Sequence, residues 1–405
     1  MTAGMSQEKK VAFNKIFEEL ASELDITKKQ YETLKRSYTD VGTWLNDDES
    51  LSPYNVDVYP QGSFRLGTII QPINEEDDLD IDLVCRLTSK PQTWTQKDLK
   101  DSIGDRLKEH KRYVKMIKDK NGGRRCWTLL YREDNPEERY HLDVLPAVVD
   151  RTTISVIDEM ARQEYNYENV KKSAIRITDK EDPYYSYETN ADEWLKSFPD
   201  GYAAWFESRC KLDGGWRIVT EAVAPINAYV EKKTVLQKVI QILKRHRDVM
   251  FNGDEDKPIS IIITTLAAKA YKGEANLVDA LKAVVCGMSN FIQNKDGADW
   301  VENPVNPEEN FADKWEEAPA KKRNFYKWLA KVQQDVGSIL RQEDVTSING
   351  LIGSLFGERL TQRVFENLGK KQKQSILDGN VRINSVGTMG AVGALASHGH
   401  TFFGS

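Results

Sequence analysis

Leu79-Asp-Ile-Asp-Leu-Val84 is an apolar, β-prone run broken by two carboxylates. On a strand, side chains at i and i+2 share a face. Asp80 and Asp82 therefore project together, while Ile81 and Leu83 turn to the core. Two carboxylates that close repel one another unless a cation lies between them. Working outward, the stretch upstream is Tyr59-Pro-Gln-Gly-Ser-Phe-Arg-Leu-Gly-Thr68, with a Gln61-Gly62-Ser63 turn that opens a helix. Such a turn offers backbone N–H groups and a hydroxyl to phosphate oxygens, so Gln61, Gly62 and Ser63 are candidate nucleotide- and phosphate-binding residues. Downstream, Tyr140-His-Leu-Asp-Val-Leu-Pro-Ala-Val148 adds Asp143 in a second apolar strand. Burying an isolated charge in such runs is costly without compensation.

The three aspartates are thus read as catalytic residues and as metal ligands. Mg²⁺ takes hard oxygen ligands, usually one or two carboxylates plus substrate phosphates and water. A third carboxylate completes a site for two ions about 3.5–4 Å apart, with Mn²⁺ as a substitute. A register shifted back one step would use Asp78 and Asp80 instead. Leu83-Val-Cys85 continues the strand directly after Asp82, which favours Asp80 and Asp82. His141 shares the face of Asp143 and reads as a packed or rim histidine.

The chain has 405 residues, enough for two lobes, with a net charge of −6 that argues against a dedicated binder of long nucleic acid. No run of eighteen apolar residues predicts a membrane span, and no apolar leader is visible, so a cytoplasmic protein without membrane association is expected. Cys85, Cys126, Cys210 and Cys286 form no CxxC pair, as in reduced intracellular proteins.

Apolar spacing predicts one long helix over 7–44, strands at Val56–Tyr59 and Asp80–Leu87, and a charged, solvated helix over 96–118. Arg125–Tyr131 reads as a strand forming a hairpin with the Asp143 strand. From about Arg217 the pattern becomes helical. Its helices include the stripe Val235–Leu243, Ser260–Ala268, Asn276–Ile292, Asn324–Ile339 and Gly357–Leu377. The expected organisation is an α+β catalytic lobe over 1–215 that includes the helix 7–44, a helical lobe over 216–380, and a flexible glycine-rich tail over 381–405.

The Gly-Ser turn followed by the paired and the third aspartate resembles the polymerase-β-like nucleotidyltransferase superfamily. Within it the chain looks most like the bacterial cGAS/DncV-like nucleotidyltransferases (CD-NTases), the signal synthases of CBASS antiphage systems. The resemblance implies a mixed sheet with helices, a helical C-terminal lobe similar to that of oligoadenylate synthetases, and a long N-terminal spine helix joining them. It implies synthesis of a cyclic di- or trinucleotide from ribonucleoside triphosphates, with release of pyrophosphate. By analogy, Lys244 and Ser260 of the helical lobe reach the triphosphate. The resemblance also implies a downstream effector that senses the cyclic nucleotide, and an E1/E2-like ligase acting on a C-terminus that here ends Gly404-Ser405. The Cys/His zinc constellation of the animal DNA sensor is missing, so no DNA activator is expected. Two alternatives stand beside this reading: a nucleotidyltransferase acting on RNA or protein, and a catalytically inactive nucleotide-binding scaffold.

Overall fold

The computed structural model describes residues 6–73, 78–131, 139–150, 174–210, 232–342 and 348–378, with the backbone of 381–383 and 389–391. The helical onset expected near Arg217, most of the glycine-rich tail, and Gly404 and Ser405 lie outside the described residues.

A six-stranded mixed sheet forms the centre of the α+β half. Its strands are β1 (Val56–Gln61), β2 (Leu79–Leu87), β3 (Trp127–Tyr131), β4 (Tyr140–Val149), β5 (Ile175–Ile177) and β6 (Leu195–Ser197). β2 runs antiparallel to β1 and parallel to β4. The far edge of β4 is shared: β3 pairs with 140–144 as the expected hairpin, and β5 with 147–149. Alternation decides the faces. Leu79, Ile81, Leu83, Cys85 and Leu87 of β2 are buried on one side with Leu142, Val144 and Val148 of β4. Helices α2 (Lys28–Asn46) and α4 (Gln96–Glu109) cover that side. Each fully buried Leu or Ile contributes about 1.5–3 kcal/mol. The opposite face carries the aspartates, and beyond them an apolar shelf of Tyr59, Val84, Leu145, Ala147 and Ile177.

The single helix expected over 7–44 is two. α1 (Gln7–Leu24) ends at Asp25, which is extended, and α2 begins under a capping box. Thr27 N–H donates to Gln30 Oε1 at 2.8 Å, and Gln30 N–H donates to Thr27 Oγ1 at 3.2 Å. These bonds satisfy orphan helix-start donors, so the chain restarts rather than continuing. The two helices also serve different cores. Phe13, Phe17, Leu20 and Leu24 of α1 join the helical cluster, whereas Tyr31, Leu34, Tyr38 and Val41 of α2 join the sheet cluster.

The helical cluster is built from α1, α6 (Pro199–Cys210), α7 (Val235–Phe251), α8 (Ser260–Ala270), α9 (Leu277–Gly287), α11 (Pro319–Arg341), α12 (Asn349–Phe356) and α13 (Glu358–Leu377); a short α10 (Lys314–Glu317) precedes α11. Among the described residues the other α-helical segments are the short α3 (Gly62–Leu66) and α5 (Tyr113–Met116), the latter separated from α4 by a turn. Hairpins at 293–300 and 302–310, which apolar spacing does not signal, lie between α9 and α10. No helix among the described residues is long and apolar enough to cross a membrane.

Candidate active site

The sheet register gathers the aspartates. Asp82 lies opposite Gln61 across the antiparallel ladder and opposite Asp143 across the parallel one. Asp80 lies opposite His141 in the same parallel ladder. All five therefore occupy one face. Asp78 precedes β2 and is held by Arg139 Nε at 3.1 Å, so the pair on the shared strand face is Asp80 and Asp82.

Gly62 explains why this turn needs glycine. Its φ is +63°, and a Cβ there would overlap Asp82 Oδ2 and stand 3.0 Å from Asp82 Cγ. The backbone that opens α3 thus lies directly against the Asp82 carboxylate. The Thr128 hydroxyl, on β3 opposite Asp143, donates to Asp143 Oδ1, and among the described residues no hydrogen bond engages the other oxygen. Asp80 is different, with its side chain 74% exposed.

Electrostatics mark the cluster as one that favours a cation. Burial first, then the charges of Asp143 and Asp80, push the Asp82 carboxyl up to about 7, with Lys244 opposing. Burial and Asp80 also raise Asp143, opposed by the Thr128 bond, His141 and Lys118. Among the described residues no three Asp, Glu, His or Cys side chains close into a ready-made cage. The aspartates converge on one face rather than one point. This donor set fits a Mg²⁺ that completes its shell with phosphate and water.

α7 holds the segment that follows the Gly-Ser turn from behind. Gln237 Nε2 donates to Leu66 O at 2.9 Å, Gln241 Nε2 to Ile69 O at 2.9 Å, Lys244 Nζ to Thr68 O at 3.0 Å, and Arg245 to Gln71 O at 2.7 Å. Helical spacing puts these four side chains along one strip. They satisfy the carbonyls of the segment that follows Ser63, which would otherwise be buried without partners.

The expected phosphate ligands are placed unevenly. Gln61, Gly62 and Ser63 adjoin Asp82, and among the described residues no group bonds the Ser63 hydroxyl. Lys244 is only 4% exposed and its amine is engaged by Thr68, so it supports the turn rather than standing free. Burial, with Arg247, pulls its ammonium down to about 7, against Asp248, Asp82 and Asp80. The Ser260 hydroxyl accepts from Arg247 Nη1 at 2.8 Å, and Arg247 also bonds Pro258 O. Ser260 is thus tied to α7. Sequence reasoning missed Thr128, Gln237 and Gln241. The two glutamines had a signal: polar residues at i and i+4 inside an otherwise apolar stripe.

Comparison with known proteins agrees with this geometry. Residues 11–179 match the Second Messenger Oligonucleotide or Dinucleotide Synthetase domain. A c-di-GMP synthase of Roseivirga ehrenbergii is 28% identical over 344 residues, covering 83% of this chain and 81% of that protein. Two solved structures share the fold. The CD-NTase CdnG of Bradyrhizobium diazoefficiens, in complex with GTP, has a TM-score of 0.65 at 17% identity, covering 88% of this chain and 99% of its own. CdnC of E. coli MS115-1, solved with ATP, has a TM-score of 0.57 at 13% identity, covering 85% and 97%. The mixed sheet, with three aspartates on one face behind a Gly-Ser turn, shares the fold of these nucleotidyltransferase structures. The matched domain and the shared fold are similar to those of the cGAS/DncV-like CD-NTases, in line with what the motifs led us to expect, and they support an enzyme of cyclic oligonucleotide synthesis.

Proposed function

We propose that the protein makes a cyclic dinucleotide from ribonucleoside triphosphates in a Mg²⁺-dependent reaction, with GTP the first substrate to offer. The observation that carries this reading is the pairing of Asp82 with Asp143 across the parallel ladder, directly behind Gly62. The Roseivirga relative, named a c-di-GMP synthase, supports the choice of guanine and of a two-membered ring.

In this reading the Gln61-Gly62-Ser63 turn binds triphosphate oxygens through backbone N–H groups and the Ser63 hydroxyl. Asp80 and Asp82 hold the cation side of the triphosphate. Two Mg²⁺ ions, or Mn²⁺ in their place, supply charge neutralisation and acidify the attacking ribose hydroxyl when bound. Asp143 receives the hydroxyl proton on the oxygen that Thr128 does not engage. A carboxylate within reach of the hydroxyl is suited to accept its proton. The hydroxyl oxygen bonds to the α-phosphorus, the bond to the bridging oxygen breaks, and pyrophosphate leaves. A linear pppGpG then turns round and closes by the same step. Positioning accounts for most of the rate. Lys244 acts indirectly, by holding Thr68 at the end of the turn.

The setting we propose is a bacterial antiphage (CBASS) signal made in the cytoplasm and read by a cyclic-nucleotide-sensing effector, with an E1/E2-like ligase as a candidate partner for the C-terminus. The test is incubation with Mg²⁺ and GTP, alone and with the other NTPs, followed by mass spectrometry. A cyclic product and pyrophosphate are expected, and both should vanish in Asp80→Asn/Asp82→Asn. A folded protein that forms no phosphodiester bond overturns the proposal. A ladder or a labelled macromolecule replaces it with the RNA- or protein-modifying alternative.

A further inference from the structure

We propose that His141 is a positioning residue: set between Asp78 and Asp80, it orients the exposed Asp80 carboxylate toward the divalent cation of the reaction proposed above, on which this inference rests. Each of the other two aspartates is already fixed. Asp82 lies against Gly62, and Asp143 takes the Thr128 hydroxyl. Asp80 is 74% exposed, and an exposed carboxylate on a strand samples several rotamers. Among the described residues, the side chain that pairs with it is His141, its neighbour across the parallel ladder.

His141 Nδ1 stands 3.5 Å from Asp80 Oδ1, and Nε2 stands 2.7 Å from Asp78 Oδ2. Asp78 is in turn held by Arg139 Nε at 3.1 Å, and its side chain is 6% exposed. Arg139, Asp78, His141 and Asp80 form a chain of contacts that runs from the buried edge of the site outward. The Nε2 contact with Asp78 is not an aligned hydrogen bond. The ring lies between the two carboxylates with one nitrogen facing each. The buried Asp78 anchors the ring, and the ring limits where Asp80 can point.

A packed strand histidine with no such role would affect stability alone. A group that sets the direction of a metal-binding carboxylate affects cation affinity, typically about 10–100-fold for outer-shell partners. The experiment measures Mn²⁺ binding to the full-length protein by electron paramagnetic resonance and calorimetry, with a non-hydrolysable GTP analogue present. It uses wild type, His141→Ala, His141→Gln and Asp78→Asn, each checked for folding by circular dichroism. The expected result is Mn²⁺ binding weaker by about 10–100-fold in His141→Ala. His141→Gln, whose amide can donate to one carboxylate, recovers part of the loss. Asp78→Asn shows a smaller loss, and binding of the analogue without metal stays unchanged. Should His141→Ala fail to fold, His141→Gln and Asp78→Asn still carry the comparison. Mn²⁺ affinity at wild-type level in the folded His141 variants overturns the inference and leaves the reaction intact. A wild-type protein that binds no Mn²⁺ overturns the metal reading itself.

Discussion

Replacing Gly62 with alanine tests the site at its tightest point. Two costs arise at once. The residue sits at φ +63°, where a Cβ costs about 1–2 kcal/mol. That Cβ also overlaps Asp82 Oδ2 and lies 3.0 Å from Cγ, so the carboxylate must rotate away from its rotamer, at about 0.5–1.5 kcal/mol. The total is a destabilisation of about 1.5–3.5 kcal/mol, measurable by urea unfolding followed by tryptophan fluorescence. Turnover should suffer far more, because displacing a catalytic group by about 1 Å costs about 10²-fold. Pyrophosphate release per folded molecule reads that loss. Gly253 provides the control. Its φ is +90° with nothing within 4 Å of a Cβ, so Gly253→Ala bears the backbone cost alone and keeps full turnover. Wild-type turnover in folded Gly62→Ala would refute the claim that this turn and Asp82 form one unit.

Asp200 gives a pH test remote from the aspartate cluster. Burial pushes its carboxyl up to about 6, with Glu207 and Asp57 adding and Arg65 and Arg86 opposing. A raised acid contributes stability that is complete below the unfolded pKa of about 3.9 and is lost as pH rises through about 6. Asp200→Asn should therefore gain on wild type by about 1–3 kcal/mol between pH 4 and pH 7.5, and a flat difference in urea midpoints across that range contradicts this. Lys244→Met leaves the buried Thr68 acceptors unmet and should cost about 1–3 kcal/mol by the same assay. Thr27→Ala removes a capping-box partner and should cost about 1 kcal/mol; no change in the thermal midpoint would mean that the break between α1 and α2 is held by packing alone.

Much of the site was legible because its signal is local. Alternation over Leu79–Val84 places Asp80 and Asp82 on one face without knowledge of the rest, and the run after Asp82 selects the register. The hairpin that brings Thr128 to Asp143 follows from two β-prone runs and a polar turn. The helix break was equally local, since Thr27-Lys-Lys-Gln30 is a capping box, yet the apolar spacing runs on through it and masks it. What could not be read is the pairing between distant elements. Lys244 looks like a free cation in the last turns of a helix until Thr68, 176 residues away, is found at its amine. Ser260 resembles a helix-start hydroxyl open to phosphate until Arg247 is found on it.

Those distant pairings carry the deeper consequence. A loop that presents N–H groups to phosphate leaves its own carbonyls to be satisfied elsewhere, and water cannot reach a buried turn. Here Gln237, Gln241, Lys244 and Arg245 meet the carbonyls of Leu66, Ile69, Thr68 and Gln71 from the other core. Gly67, at φ +65°, permits that approach, because a Cβ there would stand 2.6 Å from Gln237 Nε2. The aspartates therefore belong to the sheet, while the turn that faces them is held by the helical cluster. A shift of α7 along its axis would move the turn relative to Asp82 and leave the sheet untouched. The geometry of the site is thus set by how the two cores dock, and substitutions along the polar strip of α7 should lower turnover even though none of these side chains touches the aspartates.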